Sequence, residues 1–300
     1  MPYAILIVDD DMAITDSVTQ YLTAINYDVK SALNAKDALK ILDSFKADVV
    51  LTDIMMQGMD GLQLTQKIKQ SHDIDVMVMT GYSAEYSYEN AIQAGASDFI
   101  FKPFRFEELD LRIKRVIREA DSKKERTKLL KKLEKIAITD ALTGLYNSRH
   151  FFAQIKAETK RHFRYARALS LLILDIDFFK NYNDTWGHLE GDRVLMEIGK
   201  TIRSCMRSMD TAYRYGGEEF TILLPETKLQ KACLVGERIK ESINARIFEP
   251  EPGSEVSVTI SLGATQLVKD DDFKSFIRRA DKALYTSKEN GRNKLTFLVS

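Results

Sequence analysis

Short apolar runs alternate with helical stretches through the first third of the chain. The runs predict five strands, at Ala4–Val8, Val29–Ala32, Asp48–Thr52, Val76–Thr80 and Phe99–Phe101. Between the runs, apolar residues recur at helical spacing, as they do from Ala38 to Leu42. Because strands and helices alternate through five units, the pattern predicts an α/β domain with a doubly wound, flavodoxin-like parallel sheet.

The stretch from Phe106 to about Ile138 has neither glycine nor proline and is rich in Glu, Lys, Arg and Leu, which predicts one long helix. Two short seams of apolar residues keep a coiled-coil spacing, out of phase with each other: Leu109, Ile113, Val116 and Ala120, then Leu129, Leu133 and Ile136. A charged break from Asp121 to Arg126 separates them. The helix therefore either pairs with that of a second chain or stays a solvated, monomeric stalk.

Strands and helices mix without strict alternation after Asp140. The predicted strands are Ser170–Ile176, a hairpin around Gly216 and Gly217, Val256–Gly263 and one final strand. The predicted helices run to about Arg167, then over about Gly191–Met206, Leu229–Ala245 and Phe273–Glu289. Asn147 is placed to cap the first of them. This pattern predicts an α+β domain in which helices pack on an antiparallel sheet.

These patterns divide the 300 residues into a first domain (1–120), a helical coiled-coil linker that continues its last helix (121–138) and a second domain (139–300). Lys plus Arg and Asp plus Glu both number 44, so bulk charge gives no indication of DNA binding. No apolar run reaches the roughly 18 residues of a membrane span, and the first residues have the pattern of a strand rather than of a signal peptide. We therefore expect a cytoplasmic protein without DNA or membrane partners, with Cys205 and Cys233 reduced and buried.

Polar residues end the strands of the first predicted sheet. Asp9 and Asp10 follow the first strand, Asp53 the third, Thr80 the fourth and Lys102 the fifth. Converging carboxylates repel one another unless a cation such as Mg²⁺ joins them. A hydroxyl and an ammonium group at the same edge suit the oxygens of a phosphoryl group on a carboxylate. Taken singly, each residue has a simpler explanation as a helix cap or a surface charge.

This constellation resembles the receiver domain of two-component response regulators. The resemblance implies that Asp53 accepts a phosphoryl group from a sensor histidine kinase or a small phosphodonor. It implies that Asp9, Asp10, Asp53 and the carbonyl of Met55 bind Mg²⁺. It further implies that Thr80 and Lys102 contact the phosphoryl group and that Phe99 is the aromatic switch residue. Gln57 and Gly81 stand where the family commonly has proline and alanine.

The second half carries its acids at a strand end and a hairpin turn. Asp175 and Asp177 end the apolar run Ser170–Ile176, and Glu218 and Glu219 follow a Gly-Gly pair. Carboxylates on neighbouring strands suit Mg²⁺ that also carries substrate phosphates. The simpler alternative is an ordinary hairpin with a solvated acidic turn.

These motifs resemble the GGDEF family of diguanylate cyclases in its GGEEF form, and Asp140 to Asn147 resembles the family's DxLTGLxN motif. The resemblance implies a palm-like fold similar to nucleotidyl cyclases. It implies that Asp175, Glu218 and the Ile176 carbonyl bind Mg²⁺ and that Glu219 helps to remove a hydroxyl proton. The implied substrate contacts are Phe178, Phe179, Lys180, Lys288 and Arg292 for phosphates, Asn183 and Asp192 for guanine, and Gly216 and Gly217 for close approach, with Lys180 also among the catalytic residues.

The implied reaction condenses two GTP molecules into cyclic di-GMP and two pyrophosphates. Each domain would hold one GTP, so a homodimer or a higher oligomer is required. Arg207 and Asp210 match the family's RxxD inhibitory site for the product, and Arg238 matches its second arginine; charged residues ending a helix are the simpler explanation. We expect phosphorylation to bring two receivers, and thereby two catalytic domains, together.

Three other functions are compatible with parts of the pattern. A receptor that binds GTP or cyclic di-GMP without turnover would have no need of intact Asp175, Glu218 and Lys180. A scaffold would have no need of the guanine-binding pair. A cyclase with relaxed base choice would not need Asp192. Since all these residues are present, the sequence favours the regulated cyclase.

Overall fold

The computed structural model describes residues 2–81 and 88–299. It divides into two compact units, Met1–Leu130 and Lys131–Ser300.

The first unit is a parallel sheet with helices on both faces. Its strands are β1 (Ala4–Val8), β2 (Asp28–Ala32), β3 (Val49–Asp53), β4 (Asp75–Thr80) and β5 (Asp98–Phe101), in the order β2-β1-β3-β4-β5. Its helices are α1 (Met12–Ala24), α2 (Ala35–Leu42), α3 (Gly61–Ser71), α4 (Tyr88–Gln93) and the start of α5 (Phe106–Ile138). All strand pairs are parallel. The predicted doubly wound sheet is confirmed.

Alternate residues of β1 face opposite cores. Ile5 and Ile7 pack in the core that α5 helps to cover, whereas Leu6 and Val8 pack in the other. Both faces of the strand are buried, which explains why it is a continuous apolar run. Because all five strands run parallel, their carboxyl ends meet at one edge of the sheet. Sheets of this kind bind ligands at that edge.

Helix α5 is 33 residues long and changes its surroundings along its length. Leu109, Ile113 and Val116 are almost fully buried in the core of the first unit. The first predicted seam is therefore wrong as a pairing surface, because its apolar side chains cover the sheet. Leu133 and Ile136 in the second seam are 61% and 62% exposed. Among the described residues, no helix combines the length and the apolar character that crossing a membrane requires.

The second unit is built on a six-stranded sheet. Its strands are β6 (Tyr146–Asn147), β7 (Leu169–Ile176), β8 (Thr211–Gly216), β9 (Glu219–Pro225), β10 (Ile260–Gln266) and β11 (Leu295–Leu298), in the order β11-β10-β7-β9-β8-β6. The four central strands are antiparallel, as predicted, but both edge strands run parallel to their neighbours.

The strand predicted at Val256–Gly263 begins later, at Ile260. Ile260 pairs with Ile176, the last residue of β7, so residues before Ile260 have no ladder partner on that strand. Val256 instead forms an isolated antiparallel bridge with Phe248. The alternating apolar pattern therefore predicted correctly that side chains such as that of Val258 are buried, but it placed the start of the paired strand four residues too early.

Five helices pack on this sheet: α6 (Ser148–Tyr165), α7 (Phe179–Trp186), α8 (His188–Ser204), α9 (Leu229–Asn244) and α10 (Phe273–Glu289). The predicted cap of α6 is confirmed, since Asn147 Oδ1 accepts a hydrogen bond from the His150 amide at 3.0 Å. Helix α7 was not predicted, and α8 begins three residues before the predicted Gly191. Cys205 is buried as expected, but Cys233 is only half-buried, and both are free thiols.

Candidate functional sites

An acidic cluster lies where β1 and β3 end. These strands pair in parallel, with Val8 beside Thr52, so the carboxylates that follow them come together. Asp9, Asp10 and Asp53 each offer an oxygen, and these three atoms lie within 4.8 Å of one another. Asp9 and Asp53 are buried, whereas Asp10 is exposed. Carboxylates so close repel one another, and they fit a divalent cation with oxygen ligands.

Lys102 joins two of these acids. Its Nζ lies 2.6 Å from Asp9 Oδ2 and 3.1 Å from Asp53 Oδ1. Burial raises the pKa of Asp53, although the nearby Lys102 charge opposes that rise. Burial alone would lower the pKa of Lys102, but the hydrogen bond to Asp9 and the two carboxylate charges raise it overall. Lys102 therefore stays charged beside Asp53. Met55 follows on the loop after β3, with its side chain 54% exposed.

Thr80 and Phe99 lie on the two strands beyond β3. Thr80 is buried at the end of β4, and its hydroxyl donates to the Gly81 carbonyl at 3.0 Å. Phe99 is half-buried on β5, with its ring edge-to-face against Phe101. The Arg112 guanidinium lies 5.9 Å from the centre of the Phe99 ring. Both predicted residues thus lie on strands beside the acidic edge.

The second unit gathers its acids where β7 ends and the β8–β9 hairpin turns. Asp175 is the register partner of Glu219 across the antiparallel pair β7–β9. Glu218 lies in the turn itself, next to Gly217, whose φ of 43° lies in the left-handed region that favours glycine. Gly216 does not adopt a positive φ, so only one glycine of the pair is required by the turn.

The electrostatics of this edge favour a cation. Burial raises the pKa of Asp175, of Glu218 and of Glu219, and the charge of Asp175 raises the pKa of both glutamates further. Lys288 Nζ lies 2.8 Å from Asp175 Oδ1 and opposes the rise. Three half-buried or buried acids face Lys288, with Arg292 also acting on Asp175, so negative charge remains in excess and fits a divalent ion.

Asp177 belongs to the scaffold rather than to this acidic edge. It is buried and accepts hydrogen bonds from the Thr259 hydroxyl (2.7 Å), the Ser261 hydroxyl (2.7 Å) and the Asn293 amide (3.0 Å). The bond from Asn293 holds the loop that follows α10, and the other two tie the end of β7 to the start of β10. In that loop Arg292 and Asn293 both have positive φ values, of 60° and 48°.

We expect Asp177→Ala to lower the free energy of unfolding by about 2 kcal/mol, because it leaves the buried Ser261 hydroxyl and the half-buried Thr259 hydroxyl without their acceptor. Urea unfolding followed by circular dichroism measures this loss. Asp184→Ala, at an exposed position on α7, is the matched control and should change stability by less than about 0.5 kcal/mol. Equal stability of the two variants would contradict the assignment of Asp177 to the scaffold.

The segment after β7 has the geometry of an anion-binding helix start. Phe178 adopts a left-handed conformation, and α7 begins at Phe179 with no side chain capping it. Such a start leaves backbone N–H groups free for an anion. Lys180 is exposed in the first turn, and the Arg292 guanidinium lies 4.5 Å from the centre of the Phe178 ring. The side chain of Phe179 is buried in the core, so only its backbone can face a ligand.

Asn183 and Asp192 lie on the adjoining helices α7 and α8. Asn183 Oδ1 is buried and has no hydrogen-bond donor among the described residues. A Cβ at Gly191 would lie 1.8 Å from this oxygen, so glycine is needed for the close approach of the two helices. Asp192 is half-buried. An amide oxygen without a donor and a carboxylate on the adjoining helix fit a ligand that donates hydrogen bonds.

The residues of the predicted inhibitory site lie around the end of α8. The Arg207 amide donates to Asp210 Oδ2 at 2.9 Å, so the buried Asp210 fixes the backbone of this turn. The exposed Arg207 side chain plays no part in that bond. The Arg238 guanidinium donates to the Cys205 carbonyl, at the C-terminal end of α8.

Sequence reasoning missed Arg214. Its Nε donates to the Gly217 carbonyl at 2.9 Å, and its Nη1 lies 3.4 Å from the Asp140 carboxylate. Asp140 also accepts from the Thr143 amide and hydroxyl. Arg214 therefore joins the acidic hairpin turn to the start of the second predicted domain. An arginine two residues before a Gly-Gly turn was the available signal.

Comparison with known families agrees with this geometry. The profile described as "Diguanylate cyclase, GGDEF domain" matches residues 137–294, more than half of the chain. The chain belongs to this family. The profile described as "Response regulator receiver domain" matches residues 5–114. Both resemblances stated from the sequence are confirmed.

Among curated relatives, the response regulator PleD of Caulobacter vibrioides is 34% identical over 85% of this chain and 57% of its own length. Diguanylate cyclase A of Treponema denticola is 44% identical over 55% of this chain and 45% of its own length. The chain thus spans about half the length of these relatives.

Solved structures are similar as well. The coiled coil and GGDEF domain of DgcB from Caulobacter crescentus, in complex with c-di-GMP, matches with a TM-score of 0.58 and 29% identity, over 63% of this chain and 99% of that one. Diguanylate cyclase SiaD of Pseudomonas aeruginosa, in complex with its activator SiaC, matches with a TM-score of 0.54 and 38% identity, over 65% and 75%.

Proposed function

We propose that this protein is a phosphorylation-regulated diguanylate cyclase that condenses two GTP molecules into cyclic di-GMP and two pyrophosphates. The observation that carries the proposal is the meeting of three features in one unit: carboxylates of raised pKa, an uncapped helix start and an orphaned acceptor on Asn183. These are the groups required to bind metal, phosphate and base.

Asp175, Glu218 and the Ile176 carbonyl are the proposed Mg²⁺ ligands. The fit rests on two carboxylates at one sheet edge, where burial, and to a smaller extent the charge of a neighbouring acid, raises the pKa of both side chains. When bound, Mg²⁺ supplies neutralisation of the triphosphate and activation of the 3′-hydroxyl group. Glu219, opposite Asp175, is half-buried with a raised pKa, which suits a group that accepts the hydroxyl proton.

The triphosphate is proposed to bind at the start of α7. Free backbone amides after Phe178 and the exposed Lys180 supply donors and positive charge. The Arg292 guanidinium lies over the Phe178 ring and adds a further positive charge. The lack of side chains at Gly216 and Gly217 leaves room beside the turn, since a Cβ at either would contact nothing within 4 Å.

Lys288 is proposed to move from Asp175 to the triphosphate when substrate binds, since a metal ion bound to Asp175 would weaken the attraction of this carboxylate for the ammonium group. We expect Lys288→Met to tighten Mn²⁺ binding about fivefold without nucleotide, because a competing charge is gone. The same variant should bind GTP about tenfold more weakly. Paramagnetic resonance measures the first effect and calorimetry the second. Lys282→Met, at an exposed position of α10, is the control. Equal Mn²⁺ affinity in both variants would refute the proposed competition between Lys288 and the metal ion for Asp175.

Guanine is proposed to bind between α7 and α8. The Asn183 oxygen and the Asp192 carboxylate are acceptors, whereas guanine presents N1–H and N2–H donors. Adenine has no donor at either position, and leaving such buried acceptors unpaired costs about 1–3 kcal/mol. The site should therefore discriminate strongly in favour of GTP over ATP.

Two catalytic units have to face each other, because the 3′-hydroxyl of one GTP must reach the α-phosphate of the other. We therefore propose a homodimer or higher oligomer as the active form. The exposed apolar residues Leu129, Leu133 and Ile136 on α5 are the surface proposed for pairing. Holding two substrates in register supplies the proximity on which such condensations depend.

The first unit is proposed to control whether two catalytic units come together. Asp53 would accept the phosphoryl group from a sensor histidine kinase or small phosphodonor, with Mg²⁺ held by Asp9, Asp10, Asp53 and the Met55 carbonyl. Thr80 and Lys102 would contact the phosphoryl oxygens, and Phe99 would be the aromatic switch residue that changes position on phosphorylation. Support comes from the 4.8 Å acidic cluster and from Lys102 beside Asp53. The domain limits 1–120, 121–138 and 139–300 remain part of this proposal.

Product inhibition is proposed at Arg207, Asp210 and Arg238. Guanidinium groups and a carboxylate suit the guanine edges and phosphates of cyclic di-GMP. All three residues lie around the C-terminal end of α8.

The test of the proposed activity is incubation of the full chain with Mg²⁺ and GTP or ATP, with products resolved by chromatography. Cyclic di-GMP and pyrophosphate should form from GTP, and no cyclic dinucleotide from ATP. GTP that binds and remains unconverted would indicate a nucleotide receptor instead.

A further inference from the structure

A cavity of about 700 Å³ lies within the second unit, beside the turn that carries Arg207 and Asp210. The C-terminal end of α5 forms one wall, with Lys131 and Lys135. The end of α8 and the following turn form another, with Arg203. The volume is in the range of pockets that hold small-molecule ligands.

The cavity carries uncompensated positive charge. Its lining includes four cationic side chains, of Lys131, Lys135, Arg203 and Arg207, against the two acids Glu134 and Asp210. Asp210 already accepts from the Arg207 amide, and Arg203 donates to the Gly144 carbonyl. Within residues 2–81 and 88–299, Lys131, Lys135 and the Arg207 guanidinium form no ion pair with another side chain. An anionic ligand would therefore meet three free cations.

We propose that Lys131 and Lys135 bind the phosphodiester groups of cyclic di-GMP, so that the end of α5 is part of the product site. The inference rests on the proposed inhibitory function of Arg207 and Asp210. It adds that the product contacts the helix leading into the catalytic unit as well as the turn after α8. A bound product molecule would then contact both segments at once. Feedback inhibition would therefore act on the C-terminal end of α5 as well as on the turn after α8.

The chain offers matched variants for a test. Lys131 and Lys135 are exposed, so the double variant Lys131→Gln/Lys135→Gln should fold normally. Lys132 is equally exposed on the same helix but does not line the cavity, so Lys132→Gln is the control. Arg207→Ala should also fold, because Asp210 bonds the backbone amide of residue 207 rather than its side chain.

Calorimetry with cyclic di-GMP and the full chain should show about tenfold weaker binding by the double variant, the effect expected of two exposed charge contacts. Lys132→Gln should bind cyclic di-GMP with the affinity of the wild type. Raising the salt concentration should reduce the difference in affinity between the double variant and the wild type, because salt screens exposed charges. Amide hydrogen exchange over residues 131–138 should slow when the product binds to the wild type.

The experiment distinguishes failure of this inference from failure of the proposed inhibitory site. Equal affinity of the double variant and the wild type, with binding abolished in Arg207→Ala, would overturn the contribution of the stalk and leave the product site in place. Wild-type affinity in Arg207→Ala would overturn the proposed inhibitory site and this inference with it.

Discussion

The Glu218→Gln variant should form cyclic di-GMP at least about 100-fold more slowly than the wild type at saturating GTP. Glutamine has the size of glutamate and keeps the geometry of the turn, but it carries no charge for a metal ion. The loss is expected to persist at raised Mg²⁺, because a neutral amide would hold the metal ion more weakly at the position where it stabilises the transition state. Initial rates of pyrophosphate release measure the effect.

The control for this variant is Glu226→Gln. Glu226 follows the same strand at its opposite end and forms an exposed ion pair with Arg167. Its replacement removes one charge far from the acidic edge, so activity should stay within twofold of the wild type. If Glu218→Gln retained half of the wild-type rate, Glu218 would not be a metal ligand.

The Asp53→Asn variant should take up no label from a small phosphodonor such as acetyl phosphate. An amide cannot form the acyl phosphate, whereas the bond between Lys102 and Asp9 remains to hold the strand edge together. Activation by the phosphodonor should be lost as well, and basal activity should be retained. Gel electrophoresis with radiolabelled phosphodonor measures the first effect, and the rate of product formation measures the second.

Asp16→Asn is the matched control for Asp53. Asp16 is exposed on α1, so its replacement should leave labelling unchanged. Label retained in Asp53→Asn would show that another side chain accepts the phosphoryl group. Asp9 and Asp10 would then be the next residues to replace.

The apolar pattern was sufficient to predict most of the fold. Every strand of the first sheet lies within one residue of its predicted ends, and β1 and β3 were the clearest because strands buried on both faces are apolar almost throughout. Prediction failed where the same pattern has two explanations. Leu109 and Ile113 have coiled-coil spacing, yet their side chains cover a sheet. Helix α7 is eight residues long and aromatic, so its periodicity was too short to recognise.

The candidate sites show a similar limit. The strand ends indicated where acids would gather, but not which of Asp175 and Asp177 would be free. Hydrogen bonds from Thr259 and Ser261, more than 80 residues away along the chain, decide that question. The ion pair between Lys288 and Asp175 likewise depends on how α10 packs, which spacing along the sequence does not specify.

The most direct test of a phosphorylation-regulated cyclase is the rate of cyclic di-GMP formation from GTP and Mg²⁺, with and without beryllofluoride as an acyl-phosphate mimic. The proposal predicts product in both states, a clear rise in rate with the mimic, and no rise in Asp53→Asn. Equal rates with and without the mimic would contradict regulation by the first unit. No product in either state would contradict the cyclase activity itself.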